Sequence, residues 1–289
     1  MVTIENAQLK VVINPKGAEL TQLFHKDHQL DYLWNGDPAF WAKHSPVLFP
    51  IVGTLKNNTY FYKGTAYQLP RHGFARDKQF AVNEQTGDTA TFLLQADDST
   101  RPVFPFEFDF RLKYTLYENT LAVAYEVVNT GKEAMYFSVG AHPAFALPLV
   151  AGTEYSDYYL QFNHEETAPR WPISKDGLIE TTPLPLLEHT NRLNLSKELF
   201  LKDALVLKGM ASSIVSLRSD KTEHGFQFDY PGFPFLGIWA AKNADFVCIE
   251  PWCGIADPVN ASQQLEEKEG INTLAAGETF TRTWTVTLF

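Results

Sequence analysis

The sequence predicts an all-β protein built as a large antiparallel sandwich. Three observations lead there: strict two-residue alternation of apolar and polar residues, a scarcity of helix signals, and a high aromatic content. Apolar residues on every second position make one face of a strand oily and the other wet. The chain shows this at Phe106, Phe108, Phe110, Leu112, Tyr114 and Leu116, with charged residues or Thr115 between them. Glu118-Asn119 then predicts a tight turn into a second strand carrying Leu121, Val123, Tyr125 and Val127, ended by Asn129-Thr130-Gly131-Lys132. The segment Phe280, Arg282, Trp284, Val286, Leu288 predicts a last strand, expected to close a sheet. With 22 Phe, 12 Tyr and 6 Trp, aromatic residues make up 14% of the chain, and large rings suit a pleated, half-buried surface.

Helix signals are few. Asp37-Pro38 ahead of Ala39-Phe40-Trp41 reads as an N-cap with proline in the first turn, and Ser196 ahead of Lys197-Glu198-Leu199-Phe200 as a second cap. Each predicts one short helix. No linker, charge block or fixed-period repeat divides the 289 residues, so residues 1–289 are expected to form one domain.

Charge and cysteine usage exclude several function classes. The formal net charge is −10 and no basic stripe interrupts it, which argues against nucleic acid or an anionic membrane as partner. No apolar run approaches the ~20 residues of a membrane helix. The segment MVTIENAQLKVVINPKG lacks the basic-then-apolar order of an export signal. Cys248 and Cys253 flank Pro251-Trp252 at a spacing that matches neither a metal site nor a disulfide framework, so both are expected to be reduced thiols in the cytoplasm. An oligomeric state is not legible.

Three segments gather titratable residues among Gly, Pro and aromatics: Pro70-Arg71-His72-Gly73-Phe74-Ala75-Arg76-Asp77, Ser138-Val139-Gly140-Ala141-His142-Pro143-Ala144-Phe145, and Cys248-Ile249-Glu250-Pro251-Trp252-Cys253-Gly254. Read as loops at strand ends, they are where a rigid scaffold displays function. Singly each has a bland explanation: a turn histidine, a surface carboxylate, an Arg76–Asp77 ion pair. Together two histidines and a glutamate supply what acid–base chemistry requires. A metal is the rival use of such residues. His25 and His28 stand three apart and His164 precedes Glu165-Glu166, but there is no HExxH or paired CxxC. The nucleotide-binding patterns GxGxxG and GxxxxGK[ST] and the hydrolase elbow GxSxG are also absent, so no cofactor is expected.

In order along the chain, Phe49-Pro50-Ile51-Val52-Gly53, His72-Gly73-Phe74-Ala75-Arg76, Gly140-Ala141-His142-Pro143-Ala144-Phe145, Gly237-Ile238-Trp239 and Ile249-Glu250-Pro251-Trp252 resemble the aldose 1-epimerase (galactose mutarotase) family. The nearest likeness is to a branch with HGFAR in place of an HGG-type loop. The resemblance implies the supersandwich form of β-sandwich, with a sugar bound in an open cleft on one sheet. It also implies cofactor-free interconversion of α and β anomers. His142 would protonate the ring oxygen, Glu250 would take the proton of the anomeric hydroxyl, and His72 would hydrogen-bond near the ring oxygen. Asp203 resembles a substrate-binding aspartate. Thr54 stands where the branch usually carries arginine, so either Lys56 or Arg76 is expected to take over sugar contact or the substrate differs from the branch's. The net charge of −10 favours a free hexose. A hexose 6-phosphate mutarotase and a non-catalytic carbohydrate-binding protein are the alternatives.

Overall fold

The computed structural model describes residues Met1–Phe289. Its largest sheet has nine antiparallel strands. Across the sheet they run Leu184–Asn194, Tyr158–Arg170, Ile214–Ser219, Phe226–Asp229, Thr279–Leu288, Thr120–Asn129, Phe108–Tyr117, Thr89–Gln95 and Ala81–Gln85. The predicted hairpin is there, with Tyr117 opposite Thr120 and Glu118 in the left-handed conformation (φ 50°) that so tight a connection requires. Inward Phe108, Phe110, Leu112, Tyr114 and Leu116 are buried as the alternation predicts, while Phe106 falls just before the strand begins.

One expectation needs correction. The strand Thr279–Leu288 does not close the sheet but lies fifth of its nine strands, between Phe226–Asp229 and Thr120–Asn129. Its half from Trp284 onward alternates buried Trp284, Val286 and Leu288 with partly exposed threonines, which is the pattern of an interior antiparallel strand with one wet face.

The second layer is assembled from smaller sheets. In one, Phe246–Cys253 is flanked by Val139–Gly140 and Ala144–Ala146 on one edge and by Phe235–Trp239 on the other, with Leu205–Lys208 beyond. A four-stranded sheet of Val2–Glu5, Leu9–Asn14, Glu19–His25 and Leu30–Asp31 adjoins it through a bridge from Leu33 to Phe145. Phe145 packs on Phe226 of the large sheet at 4.1 Å between centroids, and Phe49 on Phe110 at 4.5 Å. Both layers thus feed one core, a contiguous cluster of 74 buried residues.

The two helix expectations are met only in miniature. Asp37 caps a single turn, accepting Ala39 N–H on Oδ1 at 2.9 Å and Trp41 N–H on its carbonyl at 2.9 Å, and no helix follows. Lys197–Phe200 is one turn of 3₁₀-helix, and the Ser196 side chain does not cap its backbone. Neither segment offers a periodic apolar face long enough to sustain a helix against the sheet.

Candidate active site

Glu250 was expected in a loop; it lies inside a strand. Every residue of Phe246–Cys253 is buried, so the third motif is a central strand with protein on both faces. Glu250 is opposite Gly237 in register and only 2% exposed. Gly237 is needed there because a Cβ at that position would come within 2.3 Å of the Trp252 ring. His142 sits in the link between Val139–Gly140 and Ala144–Ala146, both hydrogen-bonded to the same central strand. Its Nε2 is thereby held 3.3 Å from Glu250 Oε2. Trp41 stacks on the imidazole at 5.0 Å between centroids and Trp239 meets it edge-on at 5.6 Å.

Burial sets the protonation of this pair. It pushes the Glu250 carboxyl well above the usual range, an effect the Arg71 charge opposes and the Asp203 charge reinforces. It also pushes His142 down to about 3, and the Arg71 and Arg76 charges add to that. Both shifts favour the uncharged forms, a protonated carboxyl and a neutral imidazole, on either side of a 3.3 Å gap.

His72 comes from the turn after Leu69. It takes a left-handed conformation (φ 68°) and Gly73 follows it there (φ 71°). A Cβ on Gly73 would lie 2.4 Å from the Phe49 carbonyl oxygen, which instead accepts the Phe74 and Ala75 N–H groups at 3.0 and 3.1 Å. That contact fixes the motif to the Phe49–Gly53 segment. Gly53 N–H donates to His72 Nδ1 at 3.0 Å, and Arg71 Nε donates to Nε2 at 3.3 Å. Burial and the neighbouring cationic groups keep His72 neutral. The ring meets His142 edge-on at 5.8 Å.

A cavity of about 730 Å³ opens over these side chains. His142, Glu250, His72, Arg76 and Asp203 all line it, so the fold converges five of the six expected site residues. Arg76 donates from Nη2 to the Arg71 carbonyl at 2.8 Å. Asp203 stands 3.8 Å from Arg71 Nη2 and accepts Ala204 N–H at 2.7 Å. Lys56 is the exception. Its backbone N–H is tied to Asp257 Oδ2 at 2.9 Å and its carbonyl to Gln263, which holds it away from the cavity wall. Thr54 is also off the wall, buried beside Gly177. Arg71 also lines the cavity, and sequence reading left out the aromatic wall of Trp41, Trp239 and Trp252, and Lys175, Lys202 and Lys242. Trp239 and Trp252 stand within the motifs themselves; the lysines have no local signal.

His142, Cys248 and Glu250 place one donor atom each within 4.8 Å of one another, the only such group that could hold a metal. Burial pushes the Cys248 thiol well above its ordinary range, and the neighbouring Glu250 carboxyl adds to the shift. Both cysteines are free and buried. Chemically the site offers a proton at one point, an acceptor 3.3 Å away, and aromatic faces on which the C–H face of a pyranose can lie.

Comparison with known proteins points the same way. A family described as aldose 1-epimerase matches residues 1–286. The chain is 32% identical over 298 aligned positions to Protein LacX of Lactococcus lactis subsp. lactis, covering 99% of each chain. Among solved structures it resembles a galactose mutarotase related enzyme from Lactobacillus acidophilus, with TM-score 0.92 and 39% identity over 100% of this chain and 97% of that one. A galactose mutarotase-like protein from Lactobacillus casei superposes with TM-score 0.94 at 31% identity, covering 100% of both chains.

Proposed function

Because this chain belongs to the aldose 1-epimerase family, we propose that it interconverts the α and β anomers of a hexose by acid–base ring opening, without a cofactor. The observation that carries this reading is the buried His142–Glu250 pair, 3.3 Å apart on the wall of the cavity. In the reactive form the proton sits on His142. His142 gives it to the ring oxygen while Glu250 takes the proton of the anomeric hydroxyl. The bond between C1 and the ring oxygen breaks, C1 becomes an aldehyde, rotation about C1–C2 presents its other face, and the steps reverse. The pair begins and ends with one proton, and no electron is gained or lost, so neither a redox group nor an external base is called for. Trp41 and Trp239 hold the imidazole between them, which keeps it aimed without a hydrogen bond to Nδ1.

A carbohydrate-binding protein without turnover would have no use for a carboxyl 2% exposed against an imidazole, an arrangement that costs free energy and adds no sugar contact that a surface polar group could not make. Two free buried thiols fit a reducing compartment such as the cytoplasm. The test is exchange spectroscopy by NMR at anomeric equilibrium, with glucose, galactose and their 6-phosphates. Protein-dependent exchange between the α and β signals of at least one of them is expected. Exchange at the buffer rate for every sugar would overturn the reading.

A further inference from the structure

Side chains alternate along a strand, so Glu250 and Trp252, two apart on Phe246–Cys253, point to the same side, and both line the cavity. The Trp252 ring lies flat across the neighbouring strands. A Cβ on Gly140 would come within 2.7 Å of its Cδ1, and one on Gly237 within 2.3 Å of its Cζ2. Those carbons bracket the edge of the indole that carries Nε1. Gly237 is the residue opposite Glu250 in register, so that edge is held at the level of the Glu250 carboxyl. The Nε1–H is buried and has no acceptor. An unpaired buried donor destabilises a fold, yet two glycines make room for this one. Glu250 meets His142 through Oε2, and an ionised carboxylate can accept several further hydrogen bonds.

We infer that Trp252 is a positioning residue for the acid–base pair, its indole N–H being the donor that receives the Glu250 carboxylate in the charge-separated form that opens the sugar ring. The inference rests on the proposed mutarotase chemistry, in which Glu250 is ionised while His142 holds the proton. Burial opposes that form at both residues, so something in the site must favour it. A hydrogen bond to the charged form of an acid does so. In the resting structure no such bond is formed, yet the Trp252 N–H already acts on the Glu250 carboxyl in that direction, lowering it against the effect of burial. Once the carboxyl ionises, the bond becomes charge-assisted and about twice as strong as one between neutral groups. An indole suits the task because it donates only. Trp252 neither gives nor takes a proton in the reaction, so it does not compete with the anomeric hydroxyl for Glu250.

Replacing Trp252 with benzothienylalanine tests this, because the fused rings keep their shape while sulfur takes the place of the N–H. Trp252→Phe is the second variant. Three quantities are measured: the titration of the Glu250 carboxyl by carbon NMR, its signal identified by loss in Glu250→Gln; sugar affinity by calorimetry; and anomer exchange at saturating sugar. In the isosteric variant the carboxyl should titrate about one pH unit higher than in wild type and kcat should fall about tenfold, the same free energy read twice, with sugar affinity changed by less than about threefold. Trp252→Phe should show the same upward shift. An unshifted titration in both variants overturns the inference. So does weakened sugar binding at unchanged kcat, which would assign the N–H to a sugar hydroxyl. A shifted titration in a protein whose wild type exchanges no anomers leaves the Trp252–Glu250 contact standing and removes the mutarotase reading instead.

Discussion

Glu250 lies mid-strand among buried neighbours, and the nearest titratable atom is an imidazole nitrogen 3.3 Å away. The consequence at this scale is that the two side chains titrate as one unit. The pair takes a second proton only far below the 6.5 of an ordinary histidine, because His142 is depressed to about 3. It gives up its only proton well above the 4.5 of an ordinary glutamate. We therefore expect kcat/KM to show no step at the 6.5 of an ordinary histidine, and a profile falling steeply with a midpoint near 6.5 would contradict this assignment of the pair. Glu250→Gln keeps the shape but cannot accept a proton, and should lower turnover by at least about a hundredfold. Its residual rate should also lose the alkaline limb; a variant with near-normal turnover would make Glu250 structural. His142→Asn should abolish nearly all anomer exchange while sugar still binds by calorimetry, and substantial exchange at neutral pH would reassign the acid to His72.

At the scale of elements, two clusters of titratable groups lie away from the cavity. His25 ends the strand Glu19–His25, His28 follows in the turn, and His224 precedes the strand Phe226–Asp229. The His25 and His28 rings stack at 3.6 Å, and His224 lies 4.6 Å from His28. Tyr32 OH donates to the Phe289 carbonyl at 2.9 Å, so His28 Nδ1–H, 3.0 Å away, donates to the tyrosine oxygen. Burial lowers both His25 and His28 from 6.5; His224 lowers them further and Asp27 opposes the shift. Since the unfolded chain then binds more protons than the folded one, stability is intact above about pH 6.5 and declines as the pH falls below it. The melting temperature should drop between about pH 7.5 and 5.5, and His28→Gln should flatten that slope; an unchanged slope in the variant would place the titration elsewhere. The second cluster is the Lys268–Asp257 ion pair, 2.6 Å long with side chains only 3% and 4% exposed. Lys268→Met strands a carboxylate in the interior and should cost about 3–5 kcal/mol in urea melts. Adding Asp257→Leu should recover part of that, but not all, because Lys56 N–H loses its acceptor as well.

For the whole molecule, the strand Thr279–Leu288 is the keystone of the nine-stranded sheet, since it joins the half built from residues 81–129 to the half built from residues 158–229. Trp284 is 1% exposed, stacks on Phe228 at 5.1 Å and donates from its indole N–H to Tyr125 OH at 3.0 Å. Trp284→Ala should therefore destabilise by about 3–5 kcal/mol. We further propose that the chain unfolds as one cooperative domain, so near-ultraviolet and far-ultraviolet signals should share a midpoint in wild type and variant alike. Two separated midpoints would divide the chain into independent units.

The sequence by itself determined the secondary structure and the chemical inventory. Alternation at residues 108–116 and 121–127 dictates two half-buried strands, because a period of two admits no other regular backbone. The residue types in the His72, His142 and Glu250 motifs dictate acid–base and hydrogen-bonding capability wherever they lie. Alternation specifies which face of a strand is buried but not which strand lies beside it, so only the tertiary structure decided that Thr279–Leu288 is central and that the Glu250 motif is a strand. Convergence was likewise decided in three dimensions. His142 and Glu250 are more than a hundred residues apart, and they meet because Val139–Gly140 and Ala144–Ala146 both pair with Phe246–Cys253. The same folding draws Lys56 away toward Asp257 and gathers Lys175, Lys202 and Lys242 around the cavity. A net charge of −10 cannot foretell that local surplus, because electrostatic recognition depends on where charges stand and what screens them, not on their sum.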